Sequence, residues 1–120
     1  MNTQAVVERF LTAFYTGQRD EIRKSVLPDF TMEGPFAAAH NVDELIELSE
    51  PLFQVVRGVR FRQWVVEGDN AAPLYDIRFE SPAGNGWMTM GGWFSVAGER
   101  VASGHVLYDS ATQHRILSGR

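Results

Sequence analysis

Two carboxylates and two tyrosines are the residues of this chain best placed to do chemistry. Glu33 closes the short segment Phe30-Thr31-Met32-Glu33, immediately before Gly34-Pro35. Buried against Phe36 and methionines, its carboxyl would rise toward the range useful for proton transfer near neutral pH. Asp76 stands two residues before Arg78 in Tyr75-Asp76-Ile77-Arg78-Phe79-Glu80. That spacing puts both charges on one face of a strand, where they read as an ion pair on the outer side of a sheet. A one-residue change of register would turn Asp76 inward and make it an acid/base candidate instead. Tyr75 and Tyr108 can each offer a hydroxyl to an apolar enclosure, or can satisfy it locally as buried tyrosines commonly do.

Other chemistries find no support. The chain has no cysteine, which removes disulfides, thiol nucleophiles and thiolate metal sites. His40, His105 and His114 lie far apart without ligand spacing, so neither a metal nor any other cofactor is expected. Asn85-Gly86 and Gly91-Gly92 are not phosphate loops, because no strand-to-helix junction follows them. No serine or threonine has a base at a readable spacing.

The elements that must position these residues can be read from periodicity. Strict alternation runs through Tyr75, Ile77 and Phe79 against Asp76, Arg78 and Glu80, and the turn residues 81–86 then lead into an arm that is apolar on both faces. The segment 71–96 is therefore one long β-hairpin, with Met88, Met90 and Phe94 on one face and Trp87 and Trp93 on the other. Before it, Val6, Val7, Phe10, Leu11, Phe14 and Tyr15 recur at helical spacing between Gln4 and Thr16. A short helix spans 19–26, and Pro28 prevents its continuation. Residues 30–33 form a short strand, and 36–40 a loop. Asn41 with Glu44 forms a capping box for a third helix through Leu45, Leu52, Phe53 and Val56, kinked or split at Pro51. Strands follow at 59–67 and 100–109, and the polar tail 110–120 forms loose helical turns or frays.

Helices first and antiparallel strands afterwards define an α+β domain, with N-terminal helices on one face of a strongly curved, mainly antiparallel sheet. The 120 residues make one domain, and 44% hydrophobic with 22% charged residues is an ordinary globular composition. A net charge of −4 gives no reason to expect nucleic acid or an anionic membrane as partner. The N-terminus has no signal-peptide pattern and no apolar run is long enough to span a membrane, so a cytoplasmic location is expected.

The segments VVERFLTAFYTGQRDEI, FTMEGPF, LYDIRF and GERVASGHVLYDS, in this order, resemble the nuclear transport factor 2-like superfamily. That cone-shaped fold includes SnoaL-like cyclases, ketosteroid isomerases and limonene-type epoxide hydrolases. The resemblance implies a pocket inside the cone, lined by Phe14, Phe36, Phe53, Tyr75, Ile77, Phe79, Met88, Met90, Val106 and Tyr108. It does not carry over the known mechanisms. The isomerase base falls at Gly34, the oxyanion tyrosine at Phe10 and the second aspartic acid at Met88 or Met90. The hydrolase Arg-x-Asp pair falls at Tyr75 and Ile77, its final aspartate at Val106, and its Tyr-x-Asn at Thr31 and Glu33. The cyclase aspartate on the last strand likewise meets uncharged residues.

Two functions are therefore expected to compete. One is a binding module that holds a small hydrophobic molecule in an apolar cone. The other is an isomerase, polyketide cyclase-like or epoxide hydrolase-like enzyme using Glu33 or Asp76 with Tyr75. A homodimer is expected through the outer sheet face, because Trp87, Trp93, Val101 and Leu107 lack cover within the chain.

Overall fold

The computed structural model describes residues 1–35 and 38–118. Helix α1 (Thr3–Tyr15) begins where Asn2 Oδ1 accepts the Ala5 amide at 2.8 Å, and it buries Val6, Val7, Phe10, Leu11 and Phe14 along one stripe. Helix α2 (Arg19–Lys24) is a single short element, and strand β1 (Val26–Glu33) starts where the sequence pattern still read helix. Two residues, Ala38–Ala39, form β2 inside the expected loop. Helix α3 (Val42–Phe53) passes through Pro51 unbroken. Asn41 caps it by accepting the Glu44 amide at 2.8 Å, while the Glu44 carboxylate turns to His40 Nδ1 at 3.0 Å and does not close the reciprocal half of the box. Strands β3 (Val56–Glu67), β4 (Asn70–Ser81), β5 (Gly84–Ala97) and β6 (Arg100–Tyr108) complete the sheet.

The six strands lie in the order β2-β1-β6-β5-β4-β3, and every neighbouring pair is antiparallel except β1 with β6. The 4–5 hairpin holds the register that alternation predicts, with Tyr75 opposite Met90 and Ile77 opposite Met88. One strand departs from simple alternation. Ser95 pairs with Ser103 but Val96 pairs with Val101, so Ala102 is an extra residue in β6. That bulge turns Val101 into the core, where it is fully buried, so Val101 does not belong to the outer apolar face.

The tail is also more ordered than its polarity suggests. Residues Ser110–Ser118 form helix α4, whose start is fixed by Asp109 accepting the Ala111 amide at 3.0 Å and the Thr112 hydroxyl at 2.8 Å. Ile116 is its anchor, 3% exposed. Among the described residues no helix is long and apolar enough to cross a membrane.

At its narrow end the curved sheet is filled by aromatic rings. Phe10 meets Phe30 at 5.4 Å and Phe94 at 6.2 Å between centroids. The Phe94 ring lies across two inward-facing glycines. A methyl group on Gly92 would come within 2.4 Å of that ring, and one on Gly104 within 2.6 Å. Because Phe94 is fully buried, its ring has nowhere to go. Gly104→Val should therefore cost about 2 kcal/mol or more, as overpacking does. Gly58→Ala, where an added methyl meets open space, should stay within about 0.5 kcal/mol. Urea midpoints of the two variants test the contrast.

Candidate functional site

Toward its wide end the concave side of the sheet opens into a cleft of ≈510 Å³. Phe14 and Tyr15 of α1, Met32 of β1, Met90 of β5, and Val106 and Tyr108 of β6 form its deep walls. Leu45, Leu48, Ser49, Pro51 and Leu52 of α3 form one side, and Gln113, His114 and Leu117 of α4 close the other. Alternation explains the contribution of the sheet: Met90 and Tyr108 are register partners and Val106 follows two residues earlier on the same face. Helix periodicity explains α3, whose inward stripe runs from buried Leu45 and Ser49 to half-buried Leu52 at i, i+4 and i+7.

Four of the expected lining residues, Phe14, Met90, Val106 and Tyr108, border the cleft. Phe36 lies outside the described residues. The others face inward but are used up in packing. Ile77 and Met88 are buried core, and Phe79 is packed partly against it. Phe53 packs edge-on against Phe14 at 5.5 Å, with the Arg19 guanidinium 4.9 Å above its ring. Tyr75 is fully buried, and its hydroxyl lies 2.9 Å from that of Tyr15, which also reaches Met90 Sδ at 3.5 Å. Burial pushes both phenols above their usual pKa; for Tyr15 the adjoining tyrosines add to the effect, and for Tyr75 the hydrogen bond shared with Tyr15 opposes it. Both are neutral at any physiological pH, so the pair can share hydrogen bonds but cannot serve as a base. The Tyr108 phenol is likewise raised by burial, against a 3.3 Å bond from Gln113 Nε2.

The two candidate carboxylates both lie away from the depths of the cleft. Glu33 borders the mouth, yet its side chain is 67% exposed and points to His105 Nδ1 at 3.5 Å, its neighbour across the parallel β1–β6 pair. It is not buried against apolar groups as the sequence reading required. At the position before Pro35 a Cβ on Gly34 would sit tightly against the Val106 methyl, at 3.3 Å. Asp76 lies on the outer face, but it is not paired with Arg78. It receives bonds from Thr89 Oγ1 at 2.7 Å and Arg60 Nε at 3.1 Å, with Arg62 at 3.6 Å, and is only 4% exposed. Arg78 pairs with Glu80. The reason is distance: Arg60 and Thr89 stand directly opposite Asp76 on adjacent strands, and cross-strand neighbours lie closer than residues two apart on one strand. Burial raises the Asp76 carboxyl, but the Thr89 and Arg60 bonds and the two guanidinium charges outweigh it, and its pKa is lowered.

The described lining residues of the cleft thus include no lysine, no arginine and no buried carboxylate, and no cluster of three metal-ligating side chains occurs among the described residues. Of α3 sequence reasoning named Phe53 as lining and not Leu45, Leu48, Ser49, Pro51 or Leu52, and it named no wall residue of α4. The α3 signal was present as a serine inside a leucine stripe; in α4 only Ile116 and Leu117 hinted at packing.

The SnoaL-like domain family matches residues 7–104, and the chain belongs to that family. Solved structures share the fold at low identity. A SnoaL-like polyketide cyclase from Jannaschia sp. CCS1, itself an inferred assignment, is 19% identical with TM-score 0.81, covering 98% of this chain and 92% of its own. An LEH-like epoxide hydrolase from M. tuberculosis is 16% identical with TM-score 0.76, covering 98% and 87%. TerC, co-crystallised with polyporic acid, is 12% identical with TM-score 0.80, covering 97% and 98%. Among curated proteins no match is found.

The position of Asp76 predicts a pH-dependent contribution to stability. A lowered folded pKa stabilises above the unfolded carboxylate value, and the contribution disappears as pH falls through the folded pKa. Asp76→Asn should cost about 1–3 kcal/mol near neutral pH, the range for a buried charge-assisted bond. The gap from wild type should narrow at about pH 3. Urea unfolding at both pH values measures it.

Proposed function

We propose that this protein is a binding module for a compact, uncharged, largely apolar molecule held in the cleft between the sheet, α3 and α4. The observation that carries the reading is the chemistry of the walls: Phe14, Met32, Leu45, Leu52, Met90 and Val106 offer an apolar surface with no charged group in its depths. Ligand pockets commonly occupy roughly 300–1,000 Å³ and combine apolar walls with few polar groups. Methionine adapts to irregular ligand shapes, which suits Met32 and Met90 as lining. A cyclase-, isomerase- or hydrolase-like activity would need a proton acceptor facing the ligand. Glu33 engages His105 and Asp76 lies on the opposite face, so the geometry favours binding over acid/base catalysis. The cyclase and epoxide hydrolase relatives support a small-molecule role for the fold, without specifying a reaction here.

The outer face supports self-association as part of the same reading. Trp87, Trp93 and Leu107 are 47%, 56% and 61% exposed. On one side of Trp93 and Leu107, strands β3 and β4 carry Arg57, Arg60, Arg62 and Arg78 against Asp76 and Glu80; on the other side β1 ends in Glu33. A second copy related by a twofold axis along the strands sets the arginine-rich half over the Glu33 edge. An axis across the strands would set arginines over arginines. Twofold pairing through one shared patch is also the commonest assembly.

Two measurements test these proposals. The wild type should bind 2-methylnaphthalene, an uncharged fluorescent hydrocarbon, at one molecule per chain. Met90→Trp, filling the deep end, and Leu48→Trp, at the half-exposed mouth, should each weaken it about tenfold or more while the circular dichroism spectrum is retained. Binding unaffected by either variant would rule the cleft out. In light scattering the wild type should be a dimer at micromolar concentration and Trp93→Arg a folded monomer; a monomeric wild type would end the assembly proposal.

A further inference from the structure

Three polar or charged side chains are buried among the described residues: Ser25, Ser49 and Asp76. Ser25 donates its hydroxyl to the Ile22 carbonyl at 2.9 Å, and Asp76 is held by Thr89 and Arg60. Ser49 differs. It is 8% exposed, lines the cleft, and its hydroxyl has no hydrogen-bond partner among the described residues. Nor is the oxygen sealed off as a buried orphan, so the accessibility it keeps is toward the cleft. A hydroxyl buried without a partner costs free energy, and a serine in a helix interior is a poorer helix former than leucine or alanine. Its helical neighbours on that stripe, Leu45 and Leu52, are the residues that packing alone would choose.

We infer that Ser49 is the polar anchor of the cleft, hydrogen-bonding a neutral oxygen function, a hydroxyl or carbonyl, on an otherwise apolar ligand. This rests on the cleft being a binding site, and it adds the ligand's chemical class and the residue that selects it. A serine hydroxyl has one donor and two acceptor sites, so it can serve either oxygen type. An ionised ligand group is disfavoured beside it, because among the described lining residues the carboxylate Glu33 and the imidazole His114 are exposed at the rim and no lysine or arginine is present. The tyrosine hydroxyls do not duplicate this role: Tyr15 is committed to Tyr75, and Tyr108 receives Gln113.

The test compares two probes of nearly equal shape, 2-naphthol and 2-methylnaphthalene, by fluorescence titration of the full chain. Ser49→Ala removes the hydroxyl and little volume. It should weaken 2-naphthol about fivefold or more, the worth of one neutral hydrogen bond, and change 2-methylnaphthalene by about twofold or less. Ser49→Thr, which keeps the hydroxyl, should retain most of the naphthol affinity, and urea midpoints confirm that both variants are folded. If Ser49→Ala weakens neither probe, or both equally, the anchor is overturned while the binding reading stands. If neither probe binds the wild type, the binding reading fails and the anchor fails with it.

Discussion

The Phe94 ring lies flat across Gly92 and Gly104, and the molecule is built outward from that contact. Two adjacent strands without side chains there let one ring fill the narrow end of the curved sheet, and Phe10 of α1 then packs on it with Phe30. Helix α1 is thereby held deep at that end, while further along it Phe14 and Tyr15 reach the wider part of the sheet. The cleft opens where the rings stop. The cleft is the consequence of filling one end of a cone and leaving the other to residues of ordinary size.

Charge is sorted by the same sheet. Its concave face carries hydroxyls, thioethers and hydrocarbon, whereas arginines and carboxylates pair on the convex face, where Arg60 stacks over Trp87 at 4.1 Å and bridges to Asp76. An ionised group keeps its charge cheaply where water or a partner is at hand, and an apolar cavity provides neither. The separation leaves the cleft walls largely uncharged and gathers the ion pairs of the sheet on its convex face.

Alternation made the register of the hairpin legible: Tyr75 opposite Met90, the inward turn of Val106 and Tyr108, and the outward turn of Asp76 all follow from a period of two. What alternation lacks is depth. Tyr75 and Met90 face the same way, yet Tyr75 is capped by Tyr15 and only Met90 borders the cleft. The Ala102 bulge is invisible to a pattern that counts in twos, and it alone moves Val101 from the outer face to the core. Partner choice for Asp76 depends on the strands beside it, which residue spacing along one strand does not reveal. Helix α4 was hidden for a different reason: a mostly polar segment becomes helical through a capping aspartate and one docked isoleucine, a tertiary effect with little local signature.

That docking gives the walls of the cleft unequal tenacity. The sheet and α1 share the fully buried core, so separating them amounts to global unfolding. Among its described residues, helix α4 buries one side chain, Ile116, and adds the bond from Gln113 to Tyr108. Segments with so few buried contacts open locally at free energies far below that of the whole domain. The cleft is therefore walled by elements of unequal hold, the sheet and α1 on one side and α4 on the other. Any molecule that bound against Leu117 and His114 would add contacts to the weaker wall, and its binding and the docking of α4 would then favour one another.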